Sequence, residues 1–242
     1  MAKKFQNKPP ESFKYNKILN IVLVSAFGLL VIFFTTSKLT NEDDYFWHLA
    51  TGRYIVQTHT IPSTDVFSYP TEGQPWLVTE WAWDVMTYLI FTSFSYLGLS
   101  ILNTLVFFII FGLYYRLLGK FKVSYTLITL FSILLIFGIF ERLTPRPHII
   151  SYLFFAVILY LIVNFKYFGR LHYKKIYVIP FIFLFWANMH MGCIIGIGFF
   201  AVFIICEYIV YLKPNYFSKG HNGNTPLETE PNPYRNAWCH QR

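Results

Sequence analysis

Five stretches of this chain, residues 18–36, 99–118, 124–140, 149–165 and 193–212, are mostly apolar over seventeen residues or more. That length constrains the fold before any other feature does, because about 17–20 apolar residues in a helix cross roughly 30 Å of hydrocarbon. A sixth stretch, 176–192, is equally apolar but ends in Trp186-Ala187-Asn188-Met189-His190-Met191-Gly192. Joined to 193–212 it would make a helix of about 55 Å, too long for one crossing. Gly192, Gly196 and Gly198 mark the place where it divides into two spans or turns back as a re-entrant segment. The expected fold is all-α: a polytopic membrane protein of about six transmembrane helices with a long outer first loop.

Composition agrees, with 55% hydrophobic, 21% aromatic and only 13% charged residues, against about 25% charged in soluble domains. The first span is too long for a cleaved signal and has no small-residue cleavage site after it, so it is expected to stay as an anchor. The net charge of +8 suggests nucleic acid only until the basic residues are placed. With six spans and a cytoplasmic N-terminus, sixteen of the twenty Lys and Arg fall inside and eight of the twelve acids outside. This is the positive-inside pattern, and it predicts no nucleic-acid partner. The implied organisation is a cytoplasmic segment 1–17, a transmembrane region 18–212 with its outer loop at 37–98, and a polar, Pro/Asn-rich tail 213–242 that is expected to be disordered. The expected location is the plasma (inner) membrane, with membrane lipids as partners. Oligomeric state is not indicated. The three cysteines suggest no disulfide framework.

The long first loop holds most of the chemistry. Residues 43–56 have helical periodicity, placing Phe46, Leu49, Ala50 and Tyr54 on one side and Asp44, His48, Thr51 and Gln57 on roughly the opposite one. A second interfacial helix is expected over 81–97, with Trp76, Trp81, Trp83, Tyr88 and Phe91 at the headgroup boundary. Asp43 and Asp44 are adjacent carboxylates just beyond the first span. Mutual repulsion and partial desolvation there favour a general base for an acceptor hydroxyl. Asp65, Glu72 and Asp84 are expected to be structural or solvating, Asp65 in a Pro62-Ser63-Thr64 turn.

Arg142, Arg146 and His148 stand in the second outer loop, on the face that otherwise excludes basic residues. Arginine forks suit a lipid-linked phosphate. A salt bridge to the acidic first loop explains them equally well, with Pro147 starting the next helix. Asn188 and His190 interrupt an apolar segment, where polar side chains hydrogen-bond between helices or do chemistry. No zincin, CxxC, P-loop, GxSxG or GxGxxG pattern occurs. The scattered Asp, Glu and His residues have no metal-ligand spacing, so no metal site is assigned and a divalent metal is neither required nor excluded.

Asp44-Tyr45-Phe46-Trp47-His48-Leu49, Gly52, Ile61-Pro62, Asp65-Val66-Phe67-Ser68, Trp76 and Glu80-Trp81, with the blocks 142–148 and 186–192, together resemble the GT-C superfamily of membrane glycosyltransferases. Protein O-mannosyltransferases and aminoarabinose transferases belong to that superfamily. The resemblance covers about residues 15–212, a length that matches an N-terminal part of such enzymes, which usually have eleven or more spans. It implies transfer of a sugar from a polyprenyl-phosphate-linked donor at the outer face, without a redox cofactor. Asp44, four residues before His48, matches the family's Asp, the expected catalytic base, with Asp43 the second choice. Arg142, Arg146 and His148 would then face the carrier phosphate, and His48, Glu80, Asn188 and His190 the sugar or acceptor. The alternative from another class is a non-catalytic membrane subunit or transporter-like protein.

Overall fold

The structure, a computed structural model, describes residues 11–37, 44–168 and 173–212. The expectations for Asp43, for most of segment 1–17 and for the tail 213–242 therefore lie outside the described residues. The described residues form seven α-helices: α1 (Glu11–Ser37), α2 (Asp44–Thr58), α3 (Trp81–Lys120), α4 (Tyr125–Gly138), α5 (His148–Phe168), α6 (Ile179–Met189) and α7 (Cys193–Leu212). The described residues hold no strand, only an isolated bridge between Thr64 and Pro75.

Among the described residues four helices are long and apolar enough to cross a membrane: α1, α3, α5 and α7. The two remaining expected spans form shorter apolar helices, α4 with 14 residues and α6 with 11. At 1.5 Å per residue α4 extends only about 21 Å. Its shortness has local causes. Ser124 accepts a hydrogen bond from the Leu127 N–H and so fixes the start, while a 3₁₀ turn at Phe140–Arg142 follows the end. Pro180 lies in the first turn of α6, where its missing N–H costs nothing.

Residues up to Ile197 form one compact unit, and 198–212, the later part of α7, belong to another. Within the first unit the core joins Phe27, Val31 and Phe34 of α1 to Phe107, Ile110 and Phe111 of α3, with Ile136 of α4 and Ile149 and Ile150 of α5. Phe27 meets Phe111 edge to face at 4.8 Å between ring centres. Large apolar side chains also point outward, among them Leu29, Phe131, Leu134 and Phe181, each more than 60% exposed. Outward apolar surface of this extent suits hydrocarbon rather than water.

Helix α3 is long because two helices run end to end. Ser95 lies between them with φ 53° and ψ −150°, a conformation costly for any residue but glycine. The preceding stretch, Trp81–Phe94, packs against α2, and the following one, Tyr96–Lys120, is about 37 Å long and reaches through the core. Separate interfacial and spanning helices were expected here, and the break at Ser95 falls between them. Trp83 departs from expectation: instead of lying at a headgroup boundary it is fully buried in the core.

Asn103 of α3 fixes the second loop. Its fully buried amide donates to the carbonyls of Leu143, at 2.8 Å, and Thr35, at 3.2 Å. Leu143 is itself fully buried, so an apolar plug and a hydrogen bond anchor the loop that carries Arg142, Arg146 and His148.

Candidate functional site

Helix α2 lies against the first half of α3 at very short range, and Gly52 makes that approach possible. A Cβ at residue 52 would collide with the Asp84 carbonyl and with Cβ of Tyr88. The residues that follow from this contact are Tyr45, Leu49, Thr51 and Ile55, all buried. Gln57 does not share their face. It borders a groove of about 470 Å³ with Leu49, Arg53, Tyr54, Tyr88 and Phe91, so the expected pairing of Gln57 with Asp44 and His48 fails.

The close crossing carries His48 to Asp84. Nδ1 of His48 lies 2.6 Å from Oδ1 of Asp84, with side chains 14% and 4% exposed. Of the two roles expected for Asp84, structural or solvating, its burial against His48 excludes the solvating one. It is a buried carboxylate with an imidazole partner. One turn earlier, Asp44 Oδ2 stands 3.1 Å from Nη1 of Arg146. The salt bridge foreseen for Arg142 or Arg146 therefore forms at Arg146. Arg142 is exposed, no side-chain partner for it occurs among the described residues, and its carbonyl accepts a 2.9 Å bond from Nε2 of His148.

Glu80 immediately precedes α3, and its Oε1 faces Nε2 of His190 at 3.5 Å. Burial pushes the Glu80 carboxyl above its ordinary value of 4.5. The nearby His48 opposes that shift, Asp84 adds to it, and the Met191 N–H opposes it. His190 follows the last residue of α6. Its Nδ1 lies 2.6 Å from Ser151 Oγ in α5 and 3.1 Å from the Gly192 N–H, and the Trp186 indole donates to Ser151 Oγ at 2.7 Å. Since a backbone N–H can only donate, Nδ1 is an acceptor, and the neutral ring carries its proton on Nε2, toward Glu80. Gly192 is needed for this packing, because a Cβ there would strike both Ser151 Oγ and the His190 ring.

Asn188 accepts from the Trp81 indole at 2.9 Å and donates to the Leu184 carbonyl at 2.8 Å. It ties the start of α3 to the end of α6. Asp65 is likewise occupied: it accepts from the Thr71 hydroxyl at 2.6 Å and from the Phe67 and Ser68 N–H groups at 2.9 Å. These bonds, the Thr71 hydroxyl first, hold its carboxyl well below the usual range. The turn around Asp65 is pinned to α2 by Trp47, whose ring centre lies 5.2 Å from that of Phe67 and 5.4 Å from that of Trp76.

One end of the molecule thus gathers Asp44, His48, Glu80, Arg146, His148 and His190, all singled out from the sequence. Asp84, Ser151 and Trp186 join them unforeseen. For Asp84 a signal existed, since it stands four residues after Glu80 on the same helical face. Among the described residues no three His, Cys, Asp or Glu side chains converge as a metal-binding group. Comparison with protein-family models, curated proteins and solved structures finds no match.

Proposed function

We propose that the chain is a multi-pass protein of the plasma membrane, with a cytoplasmic N-terminus and six crossings, that transfers a sugar from a polyprenyl-phosphate-linked donor to an acceptor at the outer face. Four crossings are the long helices, and Tyr125–Gly138 and Ile176–Met189 supply the two shorter ones. One observation carries the functional reading. Three pairs of opposite polarity, Asp44 with Arg146, His48 with Asp84 and Glu80 with His190, gather around the junction of the long loop with the helix ends. Ionisable groups are expensive next to hydrocarbon and tend to mark chemistry when they cluster there.

The parts suit transfer from a lipid phosphate. A leaving phosphate calls for fixed positive charge, and Arg142 and Arg146 supply it four residues apart in one anchored loop. An acceptor hydroxyl calls for a base, for which Asp44, His48, Glu80 and Asp84 are at hand. Glu80 and His190, paired at 3.5 Å, add an acceptor and a donor beside these groups. The test is transfer of radiolabelled hexose from polyprenyl-phosphate hexoses in membranes carrying the full chain. Transfer above that of membranes lacking the chain, lowered about a hundredfold by Arg142→Ala with Arg146→Ala, is expected. Transfer equal to chain-free membranes would end this reading and favour the non-catalytic alternative.

A further inference from the structure

The geometry points to His48, oriented by Asp84, as the general base that takes the acceptor proton, and to Asp44 as the anchor that holds Arg146. The assignment rests on the sugar-transfer reading and departs from the expectation that Asp44 is the base.

A base needs a lone pair that faces the reacting hydroxyl and is not already committed. Asp44 meets this poorly. Its side chain is 66% exposed and its Oδ2 is 3.1 Å from a guanidinium, so its acceptor sites face Arg146 and open solvent rather than an uncommitted reacting hydroxyl. His48 meets it well. A carboxylate has only acceptor sites, so at 2.6 Å from Asp84 Oδ1 the ring proton sits on Nδ1 and the lone pair on Nε2. No hydrogen-bond partner for Nε2 occurs among the described residues. When Nε2 accepts a proton, the positive ring lies against a negative charge that is almost out of water, where attraction is strongest.

The pairing is also imposed by the fold. Gly52, one turn after His48, brings α2 onto the Asp84 backbone, and Trp47 is held by Phe67 and Trp76. Across the site Glu80 Oε1 and His190 Nε2 are 3.5 Å apart, and Ser151 and Gly192 keep that ring in the Nε2–H tautomer.

In the transfer step the acceptor O–H proton moves to Nε2 of His48, and the acceptor oxygen forms a bond to the anomeric carbon. The bond from that carbon to the carrier phosphate oxygen breaks, and its electron pair leaves with the phosphate beside Arg142 and Arg146. His48 then returns its proton to water. His48 is the catalytic residue, and Asp84 is a positioning residue.

Two measurements on the full chain test this. The first is hexose transfer from polyprenyl-phosphate hexoses in membranes. Loss of a positioned base removes about a hundredfold or more, so His48→Gln is expected to fall to background and Asp84→Asn by at least about tenfold. Asp44→Asn should fall by less than either. Background activity in Asp44→Asn with near-normal His48→Gln would overturn the assignment. The second measurement needs no transfer: mass-mapped carbethoxylation of purified protein by diethyl pyrocarbonate at about pH 8, where free imidazole is neutral. His48 should react faster than His59 in the wild type and several-fold more slowly in Asp84→Asn, with His59 unchanged as a check on folding. If no variant and no wild type transfers hexose, the sugar-transfer reading falls and the carbethoxylation decides the dyad. Equal His48 rates with and without the Asp84 carboxylate would overturn it.

Discussion

The two ends of α3 solve the problem of polar groups in an apolar protein in different ways. At the Lys120 end the ammonium donates to the side-chain oxygen of Asn164 and lies 5.1 Å from the centre of the Tyr160 ring and 5.4 Å from that of Phe168. Nearby, Tyr115 donates to Thr129 at 2.8 Å and Thr126 to Asn20 at 2.6 Å. One cation meets neutral dipoles and ring faces, and hydroxyls meet hydroxyls and amides. At the Trp81 end, carboxylates, imidazoles and a guanidinium crowd together, and Glu80 is pushed toward its neutral form by burial. Neutral pairing suffices to close a helix end. Charge crowding costs stability, so its presence at the Trp81 end points to use there.

Perturbing the α2 end should therefore damage function out of proportion to stability, and perturbing the Lys120 end the reverse. The largest effect is expected at Gly52. Gly52→Ala forces α2 off the Asp84 carbonyl, parts His48 from Asp84, and costs about 1–3 kcal/mol by overpacking. Thermal unfolding in detergent should show the loss, and transfer should drop to background. Retention of both would mean the close crossing is unimportant. Next comes Gly192→Ala, which displaces Ser151 and His190. Transfer should fall at least about tenfold while unfolding shifts less than for Gly52→Ala.

Acidification sharpens the contrast through Glu80. Its folded value lies above the ordinary 4.5, so the native protein holds that proton more tightly than the unfolded chain does. Stability from Glu80 is then fully present below the ordinary value and is lost as pH rises through the raised one. Glu80→Gln should flatten this dependence of the unfolding temperature as pH rises above the ordinary carboxylate range. An unchanged profile would show that Glu80 is solvated like a surface acid.

Smaller effects are expected at the other end. Asn164→Leu with Lys120→Met replaces the paired polar groups by apolar ones and should shift stability by no more than about 1–2 kcal/mol, with transfer unchanged. The smallest change belongs to Tyr45→Phe. The hydroxyl of Tyr45 is buried without a hydrogen bond among the described residues, so its removal should be neutral or slightly stabilising, within about 0.5 kcal/mol.

The contrast between ends also separates what was legible in the sequence from what was not. Apolar run length revealed α1, α3, α5 and α7, because hydrocarbon thickness sets that length directly. Helical periodicity placed α2 almost to the residue, from Asp44 to Thr58 against an expected 43–56. Gln57 does not belong with Asp44 even by ideal periodicity, since thirteen residues at 3.6 per turn carry a side chain about 220° round, to nearly the opposite face. The shortness of α4 and α6 was hidden because Ser124 capping and the 3₁₀ turns are local hydrogen-bonding choices within otherwise uniform apolar sequence. In the site, Asp44, Arg146, Glu80 and His190 stood out as charges in unusual places. Ser151 did not, because its role comes from a partner 39 residues away, and the spacing of Asp84 from Glu80 hinted at a shared face but not at His48, 36 residues away.

The most direct measurement is hexose transfer from polyprenyl-phosphate hexoses in membranes carrying, in parallel, the wild-type chain, His48→Gln and Lys120→Met. Equal transfer by wild type and Lys120→Met, with His48→Gln at background, is the predicted result. Wild-type transfer by His48→Gln would contradict it.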